Sequence, residues 1–359
     1  MDVEDIYIKI QSQLDHQLPF VVYRKSGEQK LHALLQHDDD MYLLETTSDS
    51  GFVFAPFDSI KKSILIPTEN SDCYDITIPN NNKMSIDVKK KKQSINTSIA
   101  AKKAHIELVD KGVKAIQDDF FKKVVLSRKE EIQYSSDSPL MVFKRLIRSY
   151  PNAFVYYWYH PLVGTWLGAT PETLVKIRGN QFFTMALAGT QPYVDTVHVD
   201  WGLKEIEEQS MVTDFVLQEL STKVNDIKKS ETYTYKAGTL LHLRTDIKGT
   251  LNEKTSIGEV IKALHPTPAV CGLPKNEAKS FIVEKEQYDR KFYTGFLGEL
   301  NFNQNGTTAS NLFVNLRCME LKADKAIVYV GGGVTKDSIP EKEWEETVKK
   351  TETMKKVLQ

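Results

Sequence analysis

The sequence predicts an α+β protein whose core is antiparallel β-sheet. Three strand-like stretches follow one another between residues 154 and 190 with only short turns between them. Strands this close in sequence pair antiparallel, because a parallel connection needs a crossover of about a dozen residues or more. Three more strand patterns lie between residues 292 and 330, and helical patterns surround both groups. We therefore expect large antiparallel sheets accompanied by helices.

The composition is that of an ordinary globular protein. With 359 residues, 41% of them hydrophobic and 26% charged, the chain can bury a large core. A net charge of −1 gives no argument for binding nucleic acid or an anionic membrane. No apolar run approaches the ~18 residues that a membrane span needs. The acidic N-terminus is not a signal peptide, and Cys73, Cys271 and Cys318 have neither disulfide nor metal-site spacing. A cytoplasmic location is expected.

The first 95 residues carry little functional information. A helix is predicted over residues 3–14, and short strands are predicted at 20–24, 42–45, 51–57 and 63–67. From residue 79 to 98 the chain becomes polar and includes the lysine run Lys89–Lys92, which favours a solvated linker over a partner site. We therefore assign residues 1–95 to an N-terminal α/β portion of the same fold and residues 96–359 to the region with the candidate site.

A lysine at the start of a predicted strand is the first candidate for chemistry. An amphipathic helix over 106–116 leads into K-V-V-L-S-R at 123–128, where Lys123, Val125 and Ser127 share one strand face. A lysine desolvated on an apolar face can act as a base. The alternative is a lysine at the strand's end whose ammonium reaches solvent.

A single carboxylate interrupts the strand-rich middle of the chain. After a predicted helix over 139–150, strands are predicted at 154–159, 165–177 and 181–190. Glu172 follows Pro171 within the second of these strands. In apolar surroundings the pKa of its carboxyl would rise, so Glu172 could act as a general acid. The alternative is an exposed turn residue.

Two helices each carry a pair of acids three residues apart. In the helix predicted over 201–224, Glu205 and Glu208 fall on the face that carries Val212 and Phe215, and buried carboxylates require a cation. Helices are also predicted at 256–264 and 274–287, with strands at 240–251, 292–301, 308–321 and 326–330. A last helix should begin near Pro340, with Ser338 and Glu341 in capping-box spacing.

The last helix presents its acids after a run of glycines. Glu343, Glu346 and Lys350 share one of its faces. Together with Glu205 and Glu208, these acids could surround one hard divalent cation, most naturally Mg²⁺. The glycines at 331–333 could form a nest of free N–H groups for an anion. The alternative is a tight turn before a solvated helix.

Taken together, these segments resemble the chorismate-utilising enzymes. The resemblance covers residues 100–359, with the motifs in the family's order. They are K-V-V-L-S-R (123–128), G-A-T-P-E (168–172), A-L-A-G-T (186–190), K-E-x-E-E (204–208), H-P-T-P-A-V-C-G-L-P (265–274), N-L-R-C (315–318), G-G-G (331–333) and E-W-E-E-T-x-x-K (343–350). The family fold implies an α+β protein with large antiparallel sheets packed as a sandwich and flanking helices.

The resemblance also implies roles for individual residues. Lys123 would be the catalytic base and Glu172 the catalytic acid. Glu208 and Glu346 would bind Mg²⁺, supported by Glu205 and Glu343. The positions that would contact substrate are Ala188, Gly189, Thr190, His242, Tyr293, Arg317, Gly331, Gly332, Gly333 and Lys350. His265 and the three cysteines are interpreted as structural.

Within the family, Lys123 and Ala188 match the enzymes that form isochorismate. Lysine at position 123 and a small residue at position 188 imply that water, rather than ammonia or a lysine, attacks C2 of chorismate. The implied protein is a monomeric isomerase without a glutamine amidotransferase subunit, serving menaquinone or siderophore biosynthesis. Salicylate formation and a non-catalytic chorismate-binding homologue are the alternatives. Ile206 and Gln209 depart from the family's usual K-E-R-x-E-H pattern.

Overall fold

The computed structural model describes residues 1–79, 98–133 and 138–358. The helices are α1 (Val3–Asp15), α2 (Ile99–Gln117), α3 (Pro139–Ser149), α4 (Leu203–Leu220), α5 (Ile257–Leu264), α6 (Lys275–Lys285) and α7 (Pro340–Lys355), with a 3₁₀ turn at Thr68–Asn70. The run Lys89–Lys92, interpreted above as part of a linker, lies outside the described residues.

The strands form two sheets in which the recorded pairings are antiparallel. In chain order they are β1 (Phe20–Arg24), β2 (Lys30–Gln36), β3 (Tyr42–Leu43), β4 (Gly51–Ala55), β5 (Ile64–Pro67), β6 (Ser71–Thr77), β7 (Lys123–Gln133), β8 (Phe154–His160), β9 (Gly164–Thr170), β10 (Thr173–Arg178), β11 (Gln181–Pro192), β12 (Val224–Lys229), β13 (Tyr233–Ala237), β14 (Leu240–Leu251), β15 (Gly272–Leu273), β16 (Phe296–Gln304), β17 (Thr307–Val314), β18 (Cys318–Leu321) and β19 (Lys325–Val334).

The order of strands places early and late parts of the chain side by side. The first sheet runs β15-β7-β19-β18-β9-β8-β1-β2-β6. The second runs β12-β14-β11-β10-β17-β16-β4-β5-β3, with β13 paired to β14. The predicted fold class, large antiparallel sheets with flanking helices, is therefore confirmed. Strands from the first 79 residues complete both sheets, whereas the division at residue 95 stays a prediction.

An aromatic core joins the two sheets. Phe154 of the first sheet stacks on Phe313 of the second with ring centroids 4.1 Å apart, and Tyr23 of the first contacts Phe52 of the second at 5.1 Å. Successive residues of β8 alternate between this core and a second one beneath α1 and α3, where Tyr157 packs. Because both faces of β8 are covered, its sequence is a continuous apolar run rather than an alternating one.

The chain crosses between the sheets several times, and two of these crossings, β9 to β10 and β17 to β18, fall within stretches predicted as single strands. The strand predicted at 165–177 breaks at Pro171–Glu172, and the one predicted at 308–321 breaks at Asn315–Arg317. Pro171 has no N–H for a sheet ladder, and Arg317 has a φ of +48°, which a strand does not accommodate. Both continuous-strand predictions were wrong.

The two crossings lie against each other. The Val314 N–H donates to the Glu172 carbonyl at 3.0 Å, and the Ala169 N–H donates to the Arg317 carbonyl at 3.0 Å. The Thr170 hydroxyl donates to the Val314 carbonyl at 2.6 Å. These bonds fix Glu172 and Arg317 side by side, in the place where the two sheets meet.

Other boundaries also differ from the sequence expectation. Strands β2, β6, β12, β13 and β15 were missed, and β16 begins at Phe296 rather than at residue 292. The predicted capping box of α7 is absent, because Ile339 is the N-cap and the Ser338 hydroxyl instead accepts the Thr335 N–H at 3.1 Å. In the part of the chain that the structure describes, no helix combines the length and apolar character that crossing a membrane would require.

Candidate active site

A cavity opens beside the two crossings and is bounded by both sheets, α4 and α7. It brings together residues that are far apart in sequence, and most of the predicted site residues line it. These are Lys123, Glu172, Ala188, Gly189, Thr190, Glu208, His242, Tyr293, Arg317, Gly331, Gly332, Gly333, Glu346 and Lys350. Glu205 and Glu343 do not line the cavity itself.

Glu172 is a buried carboxyl held at the first crossing. Its residue is 4% exposed, and burial raises the pKa of its carboxyl to about 8, although Lys123 and Arg317 oppose the rise. The predicted increase in pKa is therefore confirmed, and the exposed-turn alternative is wrong. At neutral pH this group carries a proton that it can donate.

Lys123 lies at the start of β7 and is buried. It is 1% exposed, so the alternative of an ammonium in solvent is wrong. The Lys123 Nζ lies 3.8 Å from Oε2 of Glu208. Its aliphatic chain lies close to β19: a Cβ built on Gly333 would lie only 3.1 Å from the Lys123 Cε. The lysine is thus fixed between α4 and the glycine strand.

Arg317 is a partly buried cation oriented by His242. The Arg317 Nη2 donates to His242 Nε2 at 2.9 Å, and Nη1 donates to the Ala237 carbonyl at 3.1 Å. His242 Nδ1 in turn donates to the Gly189 carbonyl at 2.8 Å. Burial, together with Arg317, lowers the pKa of His242 to about 3, so the ring is neutral and its Nε2 can accept. No recorded ion pair joins Arg317 to a carboxylate among the described residues, which leaves a cation that an anionic ligand can neutralise.

The three glycines lie in a strand rather than in a nest. Gly331, Gly332 and Gly333 continue β19 opposite Ser127, Leu126 and Val125. The predicted glycine nest is therefore wrong. Glycine is needed here for space: a Cβ on Gly331 would lie 2.9 Å from the Leu126 carbonyl oxygen and 3.0 Å from the Tyr293 hydroxyl.

Two of these glycines still present N–H groups to the cavity. The N–H groups of Val125 and Ser127 point away from β19, to the Cys271 carbonyl and to Glu286 Oε1. By the alternation of an antiparallel ladder, Gly331 and Gly333 then point their N–H groups away from β7. On that side β18 ends at Cys318, so neither N–H has a recorded strand partner among the described residues.

Three acids and three lysines meet at the α4–α7 end of the cavity. The Lys204 Nζ lies 2.6 Å from Glu343 Oε1 and 3.9 Å from Glu208 Oε1. The Lys350 Nζ lies 2.6 Å from Glu346 Oε1 and donates to the Gly331 carbonyl at 3.1 Å. Burial raises the pKa of Glu343 despite Lys204. Burial also acts to raise the pKa of Glu346, but Lys350, Lys204 and Lys123 together outweigh it and hold that pKa below its usual value.

Glu205 does not join this group. It is only half-buried, and its Oε2 turns back toward Gly202, where a Cβ would lie 2.6 Å from that oxygen. The prediction that Glu205 lies on a buried face is met only in part: its Cβ lies 3.1 Å from where a Cβ on Gly189 would be, but the residue, in the first turn of α4, keeps partial exposure. Glu208, one turn further on, is buried as predicted.

Lys204 is the site residue that sequence reasoning missed. The K-E-x-E-E motif contains a signal for it, since Lys204 precedes Glu208 by four residues and shares its helix face. Its main partner, Glu343, is 139 residues away in sequence and belongs to another helix. Only the packed structure shows that one lysine joins both acidic helices.

The acids are the type of ligand that a hard divalent cation prefers, but their side chains are not arranged around a common point. Within the described ranges, no group of three or more acidic, histidine or cysteine residues has ligand geometry. However, carboxylate oxygens of Glu343 and Glu346 both face Gly332, each within 3.6 Å of where a Cβ would lie. Glu343 Oε2 is buried and has no hydrogen-bond partner among the described residues. Carboxylate oxygens, one of them buried and unpaired, are suitable ligands for Mg²⁺.

Comparisons with known proteins agree on one enzyme family. A sequence profile described as "Chorismate binding enzyme" matches residues 68–359. The chain is 31% identical over 269 residues to isochorismate synthase DhbC of Bacillus subtilis, a match that covers 70% of this chain and 66% of the relative. It is 29% identical over 272 residues to anthranilate synthase component 1 of Lactococcus lactis, covering 70% of this chain and 57% of that relative. The matches thus span less than two thirds of these curated relatives.

Solved structures support the fold. The crystal structure of DhbC from Bacillus anthracis superposes with a TM-score of 0.78 at 23% identity, covering 98% of this chain and 99% of the other. At this level of identity the likeness establishes the architecture of the two sheets and their helices.

Proposed function

The chain belongs to the chorismate binding enzyme family, and from that premise we propose that it converts chorismate into isochorismate, an intermediate for menaquinone or siderophore biosynthesis. The observation that carries the proposal is a buried lysine and a buried, protonated glutamic acid in one cavity: Lys123 and Glu172. A protein that only binds chorismate would not need this pair, whereas an isomerase that moves a hydroxyl group needs both a base and an acid.

The proposed reaction exchanges one hydroxyl group for another. Lys123 takes a proton from a water molecule as the water oxygen bonds to C2 of the ring. The ring double bonds shift, and the C4–oxygen bond breaks. Glu172 gives its proton to the departing hydroxyl, which leaves as water. One water enters and one leaves, so the product is an isomer of the substrate.

The rest of the cavity would hold the two carboxylates of chorismate. Arg317, already oriented by His242, offers a partly buried cation for the pyruvyl carboxylate. The unpaired N–H groups of Gly331 and Gly333 point toward the same space. Ala188 lines the cavity with a small side chain and leaves room for the attacking water. Thr190, 3.4 Å from His242 Nδ1, would help to keep that histidine in place.

The acidic end of the cavity would hold Mg²⁺. Glu208, Glu343 and Glu346 are the residues that the geometry favours as ligands, while Glu205 is set aside because it turns toward Gly202. When bound, the ion would supply positive charge beside the ring carboxylate of the substrate.

The direct test is to identify the product formed from chorismate in the presence of Mg²⁺. We expect isochorismate, separated by chromatography, with no release of pyruvate. Salicylate together with pyruvate would instead indicate salicylate synthesis. Anthranilate formed on addition of ammonia would indicate the chemistry of the anthranilate synthase relatives. Recovery of unchanged chorismate would favour the non-catalytic alternative.

The pKa of Glu172 sets the expected pH dependence. A general acid must be protonated, so the alkaline side of the kcat/KM profile should fall as pH rises through about 8. In the Glu172→Gln variant the amide cannot titrate, so the remaining activity should lack this alkaline decline. Steady-state rates from mildly acidic to alkaline pH measure both profiles. An unchanged decline in the variant would assign it to another group.

Ala188 offers a test of where the water enters. We expect Ala188→Lys to lose isochorismate formation, because the longer side chain fills the space beside C2 and adds a second ammonium near Lys123. Product analysis and circular dichroism together separate this loss from unfolding. Gln181→Lys, an exposed position on the same strand β11, is the matched control. A folded Ala188→Lys variant with the parent rate would place the water elsewhere.

A further inference from the structure

Lys204 has a position that helix stability does not explain. It lies in the first turn of α4, where the helix dipole disfavours positive charge. Nevertheless its ammonium makes a 2.6 Å ion pair with Glu343, an acid that is only 3% exposed, and lies 3.9 Å from the nearer oxygen of Glu208. The lysine therefore connects the two acidic helices across the site proposed for Mg²⁺.

Two lysines already offset negative charge at this end of the cavity without a metal ion. The ammonium of Lys204 faces Glu343 and Glu208, and that of Lys350 faces Glu346. A divalent cation bound to Glu343 would lie close to the Lys204 ammonium and would be repelled by it unless that ammonium moved away.

Lys204 is the ammonium best able to leave. Its side chain is 32% exposed, against 2% for Lys123. Lys350 is 23% exposed but also donates to the Gly331 carbonyl, which restrains it. A lysine in the first turn of a helix can rotate its flexible chain into solvent without moving the backbone.

We propose that Lys204 is a built-in competitor of the divalent metal, neutralising Glu343 and Glu208 in the metal-free protein and moving into solvent when the ion binds. Exchanging one ammonium for a dication raises the net charge of the site by one, which favours binding of an anionic substrate. The inference rests on the metal requirement proposed above. It leads to an unusual expectation, namely that removing a residue of the site improves metal binding.

The test is to titrate Mn²⁺, which accepts the same oxygen ligands, into the protein without chorismate. Free Mn²⁺ measured by electron paramagnetic resonance gives the dissociation constant. We expect Lys204→Met to bind Mn²⁺ about 10-fold more tightly than the parent, the scale of losing one partly exposed charge from the site. Lys204→Arg keeps a cation and should bind like the parent. Lys279→Met removes a similarly half-buried ion pair, with Asp58, away from the site and is the second control.

Thermal unfolding gives a readout that does not depend on activity. In chelator, Lys204→Met should unfold at a lower temperature than the parent, because Glu343 is then buried without its cation. Added Mn²⁺ should raise its unfolding temperature more than it raises that of the parent. Should the methionine variant fail to fold, Lys204→Gln is measured in the same way.

Weaker or unchanged Mn²⁺ affinity in folded Lys204→Met or Lys204→Gln would overturn the proposal, and so would a failure of all variants to bind Mn²⁺. These outcomes are distinct from failure of the proposed function, because no measurement uses chorismate. If the protein makes no isochorismate but Lys204→Met binds Mn²⁺ more tightly, the proposed reaction is wrong and the proposed competition between Lys204 and the metal stands.

Discussion

Lys123→Met is expected to form isochorismate ~100-fold or more slowly than the parent, the usual scale for a positioned proton transfer. The physical reason is that Lys123 is the buried amine proposed to take the proton from water, and methionine has a similar shape without a basic nitrogen. The fold should survive, because Glu208 keeps Lys204 as a second cation 3.9 Å away. Initial rates under saturating chorismate and Mg²⁺ measure the effect.

The neighbouring residue supplies the matched control. Lys122 precedes Lys123 and is exposed, so Lys122→Met removes the same charge from the surface and should keep the parent rate. Circular dichroism and the unfolding temperature establish that both variants are folded. A Lys123→Met variant that isomerises chorismate at nearly the parent rate would show that another group activates the water.

The two crossings between the sheets explain what a strand pattern can and cannot predict. The stretches at 165–177 and 308–321 are apolar on both sides of their breaks, because each half is buried in one sheet or the other. Periodicity alone therefore indicated two long strands. Pro171 was the one local signal of a break in the first. In the second, the left-handed backbone of Arg317 depends on tertiary contacts that no local pattern contains.

The same crossings show why motifs located the site better than periodicity did. Glu172 and Arg317 fall at the crossings, where regular pairing stops and side chains can be directed into the cavity. Their motifs, G-A-T-P-E and N-L-R-C, marked them without any knowledge of the breaks. In contrast, helical periodicity placed Glu205 on a buried face but missed its partial exposure, because it cannot show how far the underlying core extends beneath the first turn of α4.

Contacts between distant elements were the least predictable part of the site. Lys204 and Glu343 are separated by 139 residues, and their ion pair depends on how α4 and α7 pack at the cavity. The glycines at 331–333 were expected to form a nest before a helix, yet it is the absence of a Cβ at these positions that allows the close approach of Leu126, Tyr293 and Lys123. Both features depend on the neighbours across the fold rather than along the chain.

Glu346→Gln is expected to abolish measurable isomerisation, and an excess of chelator is expected to do the same to the parent. Glutamine keeps the shape of glutamate but loses the charge that a hard cation requires. Without a divalent ion, the ring carboxylate of chorismate would have to approach Glu208, Glu343 and Glu346 with only their paired ammonium groups to offset the repulsion. Glu208→Gln should have the same effect for the same reason.

Glu345→Gln controls for a lost charge on the same helix, because Glu345 is exposed and points away from the cavity, and its rate should match that of the parent. Rates are measured in chelator and again after Mg²⁺ is restored. Mg²⁺ should restore the parent and Glu345→Gln but not Glu346→Gln. Since Lys350 pairs with Glu346 at 2.6 Å, the unfolding temperature of each variant is measured to separate lost metal binding from a loosened α7. Parent activity that persists in excess chelator would mean that the ammonium groups alone neutralise these acids during the reaction.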